Sequence, residues 1–230
     1  MPRPPRPDVP GCSHHVVQRG NNRLPCFLGD HDRRTYLQLL GQCLPRYECD
    51  LHAYVLMDNH VHLLISPREP KSLPKLMQTF GRNYAVTFNR RYGRPGTLWE
   101  GRYDGHLVDN DAHLLACYRY IELNPVRARM VASPEAFPWS SHRGNCGQVF
   151  DRLLTPHNLY RELHREPLRR FECYRRLFDQ PLPEETVEAF RSHLKQRAAL
   201  GSDAFRKVTE AKLRRFTGVR PAHRPRRSPD

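Results

Sequence analysis

The chain reads as an α+β protein built on an antiparallel sheet. Three observations predict this. The stretch "AYVLMDNHVHLL" sets two apolar runs around Asp58-Asn59, residues that tolerate turn conformations, which is the signature of a β-hairpin. Apolar residues recur at helical spacing on both sides of that hairpin, and a loosely patterned, arginine-rich C-terminal third reads as short helices.

In chain order, residues 1–10 alternate Pro and Arg and read as a flexible basic arm. "HHVVQRGNN" offers β-branched residues and then a Gly-Asn turn, a strand followed by a loop, with His14 and His15 as ordinary strand residues. From Asp30, an expected N-cap, "DHDRRTYLQLLGQCLPRY" puts Tyr36, Leu40, Cys43, Leu44 and Tyr47 on one helical stripe. The hairpin follows. A second helix is marked by Leu73, Leu76, Met77, Phe80, Tyr84 and Phe88, with Lys75, Arg82 and Arg90 on its opposite face. "NRRYGRPGTLWEGRYDGHLV" mixes Arg, Gly and aromatics; it suits a loop that grips a nucleic-acid backbone and stacks a base, and equally a surface loop anchored by a buried Trp99. Asp109 to Asp111 offer N-caps to a third helix, "AHLLACYRYIELN", which Pro125 stops. Leu114, Cys117, Tyr118 and Ile121 form its core stripe, and Tyr120 and Asn124 sit one turn apart at the rim. "EETVEAFRSHLKQRAAL" and the segment 200–216 read as further basic helices. The expected organisation is an arm (1–10), a main domain (11–148), a basic helical extension that binds DNA (149–216) and a Pro/Arg tail (217–230).

Composition narrows the function. The net charge of +14 favours a polyanionic partner, because Lys and Arg that neutralise phosphates release condensed counterions. No apolar run reaches the roughly 18 residues that span a bilayer, and the first residues lack the apolar centre of a secretory signal; a cytoplasmic, nucleoid-associated protein with no membrane partner is expected. The seven cysteines are scattered without a CxxC pair, which favours reduced thiols over disulfides or a structural zinc site. No Gly-Lys phosphate loop and no GxGxxG is present, so no nucleotide cofactor is expected.

His60 and His62 are the chemically suggestive pair. A strand repeats every two residues, so both imidazoles leave the same face. That arrangement suits a metal ion, and it also suits two half-exposed histidines in a chain that has 13.

"YVLMDNHVHLLISP", "FNRRYGRPGTLWEGRYDG" and "YRYIELNPVRARMV", in that order and spacing, resemble the REP-associated tyrosine transposases, part of the HUH class of one-tyrosine single-strand DNA transposases. The likeness covers about residues 10 to 145, and more loosely the C-terminal helices. It implies a ferredoxin-like core whose antiparallel sheet carries the histidines, with helices flanking it and a basic helical extension. It also implies that His60, His62 and Asn124 hold Mg2+ or Mn2+, whereas two imidazoles alone would admit zinc, manganese or nickel. Tyr120 matches the nucleophile. Single-stranded or hairpin DNA is then the partner, of a monomer or a homodimer, with Arg82, Arg90, Arg91, Trp99, Arg102 and Tyr103 as DNA-binding candidates. Two rival readings stay open: a non-catalytic hairpin-binding regulator that keeps the fold, and a metallohydrolase that uses activated water.

Overall fold

A computed structural model describes residue 6, residues 8–109 and residues 113–219. Most of the expected N-terminal arm, the tail from residue 220 and the helix cap offered by Asp111 lie outside the described residues. The order of elements is β1 (Ser13–Arg19), α1 (Asp30–Arg46), β2 (Cys49–Leu56), β3 (His60–Pro67), α2 (Ser72–Arg91), β4 (Asp104–Val108), α3 (Leu114–Glu122), α4 (Asn124–Arg127), α5 (His142–Asn145), α6 (Asn158–Glu162), α7 (Pro167–Arg176), α8 (Glu184–Gln196) and α9 (Asp203–Leu213).

The four strands form one antiparallel sheet in the order β2-β3-β1-β4. With α1 and α2 as the two crossovers, this is the ferredoxin-like βαββαβ arrangement. Strand alternation separates two cores. Val16, Leu51, Val61, Leu63 and Ile65 face α1 and α2, where they meet Tyr36, Leu40, Phe80 and Tyr84. Ala53, Val55 and Leu64 face the other way, against Leu114, Cys117, Tyr118 and Ile121 of α3 and Tyr160, Tyr174 and Phe190 of α6, α7 and α8. Residues beyond 149 therefore share a core with the sheet: α8 packs over β4 and α3, and Leu51 and Val108 make bridges to Leu154 and Leu200.

Two local expectations change. Asp30 is the first residue of α1 and not its cap; Gly29 holds the cap position without a side-chain bond, and Asp32 accepts from the Leu28 N–H at 2.8 Å. The end of the Arg/Gly/aromatic segment is a strand, β4, which pairs with β1 from Ser13↔Val108 to Val17↔Asp104. Its five residues include a glycine and a histidine, so its own pattern is too short and mixed to announce a strand. The close approach of β1 explains the glycine, because a Cβ at Gly105 would lie 3.2 Å from the His15 carbonyl oxygen.

Candidate functional site

The hairpin turn sets the first imidazole. Asn59 donates its side-chain N–H to the Arg23 carbonyl at 3.1 Å, so its amide oxygen accepts from His60 Nδ1 at 2.7 Å. His60 then carries its proton on Nδ1 and leaves the Nε2 lone pair free. Two residues on, His62 lies on the same face; its ring centroid is 5.1 Å from that of His60. Nε2 of His62 lies 3.2 Å from Asn124 Nδ2, and the Asn124 side chain is close enough to His60 to act on its pKa. Two imidazoles and one amide thus converge.

Burial, with Arg19 nearby, pushes the His60 pKa down to about 4. Burial and the neighbouring His15 and His60 hold His62 well below the usual range. Both rings are therefore neutral at pH 7, the form that donates a lone pair to a cation. Among the described residues no group of three His, Cys, Asp or Glu side chains is gathered for a metal. The groups that could hold a cation here are the two imidazole nitrogens and, with its amide turned over, the side-chain oxygen of Asn124, a donor set that would suit a divalent ion of borderline hardness.

Tyr120 faces this group from α3. Its ring centroid is 5.9 Å from His62 and 5.6 Å from His15, and Phe190 of α8 covers it at 4.8 Å. Although rim placement was expected, only 6% of the residue is exposed, because α8 lies over it. Burial raises the phenol's pKa, and Arg127 opposes that shift. The Arg127 guanidinium sits 4.3 Å over the Tyr120 ring centroid and donates from Nη2 to the Tyr120 carbonyl at 2.6 Å. Its buried Nη1 has no hydrogen-bond partner among the described residues.

Asn124 stays near Tyr120 although Pro125 follows it. Leu123 remains close to helical geometry, and its N–H reaches the Arg119 carbonyl at 2.9 Å. Pro125 enters α4 at a first-turn position, where a missing N–H costs nothing. The chain therefore turns on with little change of direction. Glu122 pins the end of α3: its buried carboxylate accepts from Ser141 Oγ (2.6 Å), Asn145 Nδ2 (2.8 Å), His142 Nδ1 (2.9 Å) and Tyr174 Oη (2.8 Å).

His60, His62, Tyr120, Asn124 and Arg127 line one cleft of about 960 Å³, together with Arg19, Arg23, Arg102, Arg191, Lys195 and Arg197. Glu100 and Asp104 are its acidic members, and Arg197 donates to Asp104 at 3.0 Å. The excess of guanidinium groups makes it an anion-attracting trough.

The candidates for DNA contact divide. Arg102 lines this cleft and an adjoining groove that Arg82 also lines. Arg90 is exposed. Arg91 is taken up by Asp32 at 2.6 Å. Trp99 is buried, donates its indole N–H to the Gly81 carbonyl at 2.9 Å and packs near Tyr84. Tyr103 is buried beneath Arg6. Both aromatics anchor the loop from inside, so the anchoring alternative describes their placement.

Sequence reading missed His15, which was expected to be an ordinary strand residue but touches His62; nothing local in β1 tells which ring it meets across the sheet. Arg127 had a signal: it lies seven residues, two helical turns, after Tyr120.

The family described as "Transposase IS200 like" matches residues 8–124, half of the chain. No curated protein matches. Among solved structures, the chain resembles a REP-associated tyrosine transposase bound to a REP hairpin, with a TM-score of 0.52 and 17% identity over 68% of this chain and 93% of the other; at that identity the likeness speaks for the fold. A structure from Deinococcus radiodurans R1, provisionally named a transposase, is 17% identical over 56% of this chain and 91% of its own, but its TM-score of 0.36 is too low to bear on the fold. The family match runs from the residues before β1 to Asn124 and so takes in the sheet, both histidines and the tyrosine helix; the chain belongs to the IS200-like transposases.

Proposed function

We propose that this transposase cleaves and rejoins single-stranded DNA at hairpins of the REP type through a phosphotyrosine on Tyr120, with Mg2+ or Mn2+ held by His60, His62 and Asn124. One observation carries the reading: within a single chain, a phenol and an imidazole pair meet at the floor of an arginine-lined cleft, with the Tyr120 and His62 rings 5.9 Å apart. A bound divalent ion would neutralise and orient a non-bridging phosphate oxygen.

The chain's own groups supply the rest. Tyr120 Oη attacks phosphorus; the phosphorus bond to the DNA 3′ oxygen breaks as the new one forms. The phenol gives up its proton and the departing 3′ oxygen takes one. Arg127 has an unpartnered N–H beside Tyr120 and is a donor for the phosphate. A phenolate is a better leaving group than an alkoxide, so the adduct keeps its reactivity and a 3′-hydroxyl can attack it to rejoin the strand.

The hairpin held by the structural neighbour supports hairpin DNA as the substrate. We assign the DNA grip to Arg82, Arg90 and Arg102 and to the basic face of α8, with Trp99 and Tyr103 bracing the loop from within. Because one chain supplies both halves of the site, a monomer suffices for the chemistry, and a homodimer would duplicate it. No nucleotide cofactor enters the scheme, and the enzyme would work in the cytoplasm at the nucleoid.

A labelled single-stranded hairpin incubated with protein and Mn2+ tests the proposal. The expected product is a DNA–protein adduct stable to detergent, lost in Tyr120→Phe and in His60→Ala/His62→Ala. A shifted band without an adduct would establish a hairpin-binding regulator instead. Free product ends without an adduct would establish hydrolysis by water.

A further inference from the structure

Four imidazoles form a row across the sheet beneath Tyr120. His60 and His62 stand on β3, His15 on β1 and His106 on β4, and successive ring centroids are 5.1, 5.0 and 5.0 Å apart. The proposed chemistry uses the first two. The third is not a bystander. His15 is fully buried, its Nε2 lies 2.8 Å from His62 Nδ1, and the two ring planes lie within 19° of each other, as an in-plane hydrogen bond between the nitrogens requires.

An imidazole that ligates a metal through Nε2 must carry its proton on Nδ1, and the group facing Nδ1 decides whether that tautomer is stable. His60 has Asn59 for this purpose. His62 has His15. Two arrangements are open to the pair. If His15 Nε2 offers a lone pair, His62 donates from Nδ1 and its Nε2 lone pair faces Asn124. If His15 Nε2 carries the proton, His62 accepts it, protonates its own Nε2 and cannot ligate.

Resting on the metal reading above, we propose that His15 is a positioning residue: its Nε2 accepts the Nδ1 proton of His62, fixing the ring plane and the tautomer whose Nε2 binds the divalent ion. In metal sites this place is commonly held by a carboxylate, a carbonyl or water. A neutral imidazole here avoids burying a charge in the wholly buried interior of the row, where desolvation would be costly. The register of β1 on β3, with Val17 opposite His62 and His15 opposite Leu64, brings the two rings together from diagonal positions.

The test is Mn2+ binding to the full chain without DNA, read from the electron paramagnetic resonance signal of free Mn2+. Wild type is compared with His15→Leu and with His15→Gln, whose amide oxygen can stand near the lost Nε2. His15→Leu should weaken binding about 10- to 100-fold, with His15→Gln recovering most of that loss. In the wild type, nitrogen-15 shifts should report His62 protonated at Nδ1. Wild-type affinity in the leucine variant, or a glutamine variant no better than leucine, overturns the role of His15 while leaving the metal reading intact. Should wild type bind no Mn2+ at all, the metal reading itself fails and takes the assignment with it. If the leucine variant does not fold, the glutamine variant and the wild-type tautomer decide: a His62 proton found on Nε2 rejects the proposal.

Discussion

Lowering the pH from 7.5 to 5.5 should remove a large part of the fold's stability, because the site is built on histidines that cannot charge. His15, His52, His62 and His106 are buried. Burial holds His15 down to about 3 and His52 to about 4, and keeps His62 and His106 well below the usual value. In the unfolded chain each titrates near 6.5. The folded values are depressed, so the unfolded state binds more protons below pH 6.5, and stability that is complete above that value falls as the pH drops. At pH 5.5 each group costs about 1.4 kcal/mol, and four cost roughly 5 kcal/mol, against a typical net stability of about 5–15 kcal/mol. His60, held to about 4, adds in the same direction. His142, raised to about 10, works in the opposite sense, because the folded imidazole is charged throughout this window while the unfolded one gains its proton only as the pH falls through 6.5; it offsets about one of the others and leaves a net of about four. Urea unfolding followed by tryptophan fluorescence at pH 7.5, 6.5 and 5.5 measures the effect, with a slope that approaches four protons per chain. His106→Leu removes about one proton from that slope without loss of stability at pH 7.5, since neither of its ring nitrogens has a partner among the described residues. A loss below about 1 kcal/mol over this range would refute the reasoning.

Glu122→Gln breaks a carboxylate that holds four donors and should cost about 3–5 kcal/mol, seen as a melting temperature lowered by roughly 6–20 °C. Burial opposes the charged form of its partner His142, but Cys146 and Glu122 outweigh burial and raise the pKa to about 10. The stability from that pair is therefore complete below pH 6.5 and lost as the pH rises through 10, a dependence that stability curves of the Gln variant should lack. Gly20→Ala places a Cβ 2.1 Å from the Leu24 carbonyl oxygen, a backbone clash that should cost roughly 1–3 kcal/mol and speed proteolysis of the loop before α1. If the cleft holds single-stranded DNA, Arg102→Ala should lower the slope of log affinity against log salt by about 0.7, the share of one phosphate contact, in a fluorescence titration.

The sequence by itself determined the periodic parts. The apolar stripes of α1, α2 and α3 are buried where their spacing puts them, since a helix that must bury one face has to repeat its apolar residues at that period. The hairpin was legible from Asp58-Asn59, and strand alternation sufficed to put His60 and His62 on one face. Only the tertiary structure decided which elements meet. Strand β4 has too few residues for a pattern of its own and exists because β1 offers it an edge. Trp99 could stack a base or anchor a loop with the same local sequence; its burial against Gly81 and Tyr84 is a property of the packing alone. His15 and Arg127 became site residues through contacts with His62 and Tyr120, 47 and seven positions away. Local sequence encodes which face a side chain leaves by, but the identity of the group it meets depends on strand order and helix placement, which are properties of the whole chain's packing.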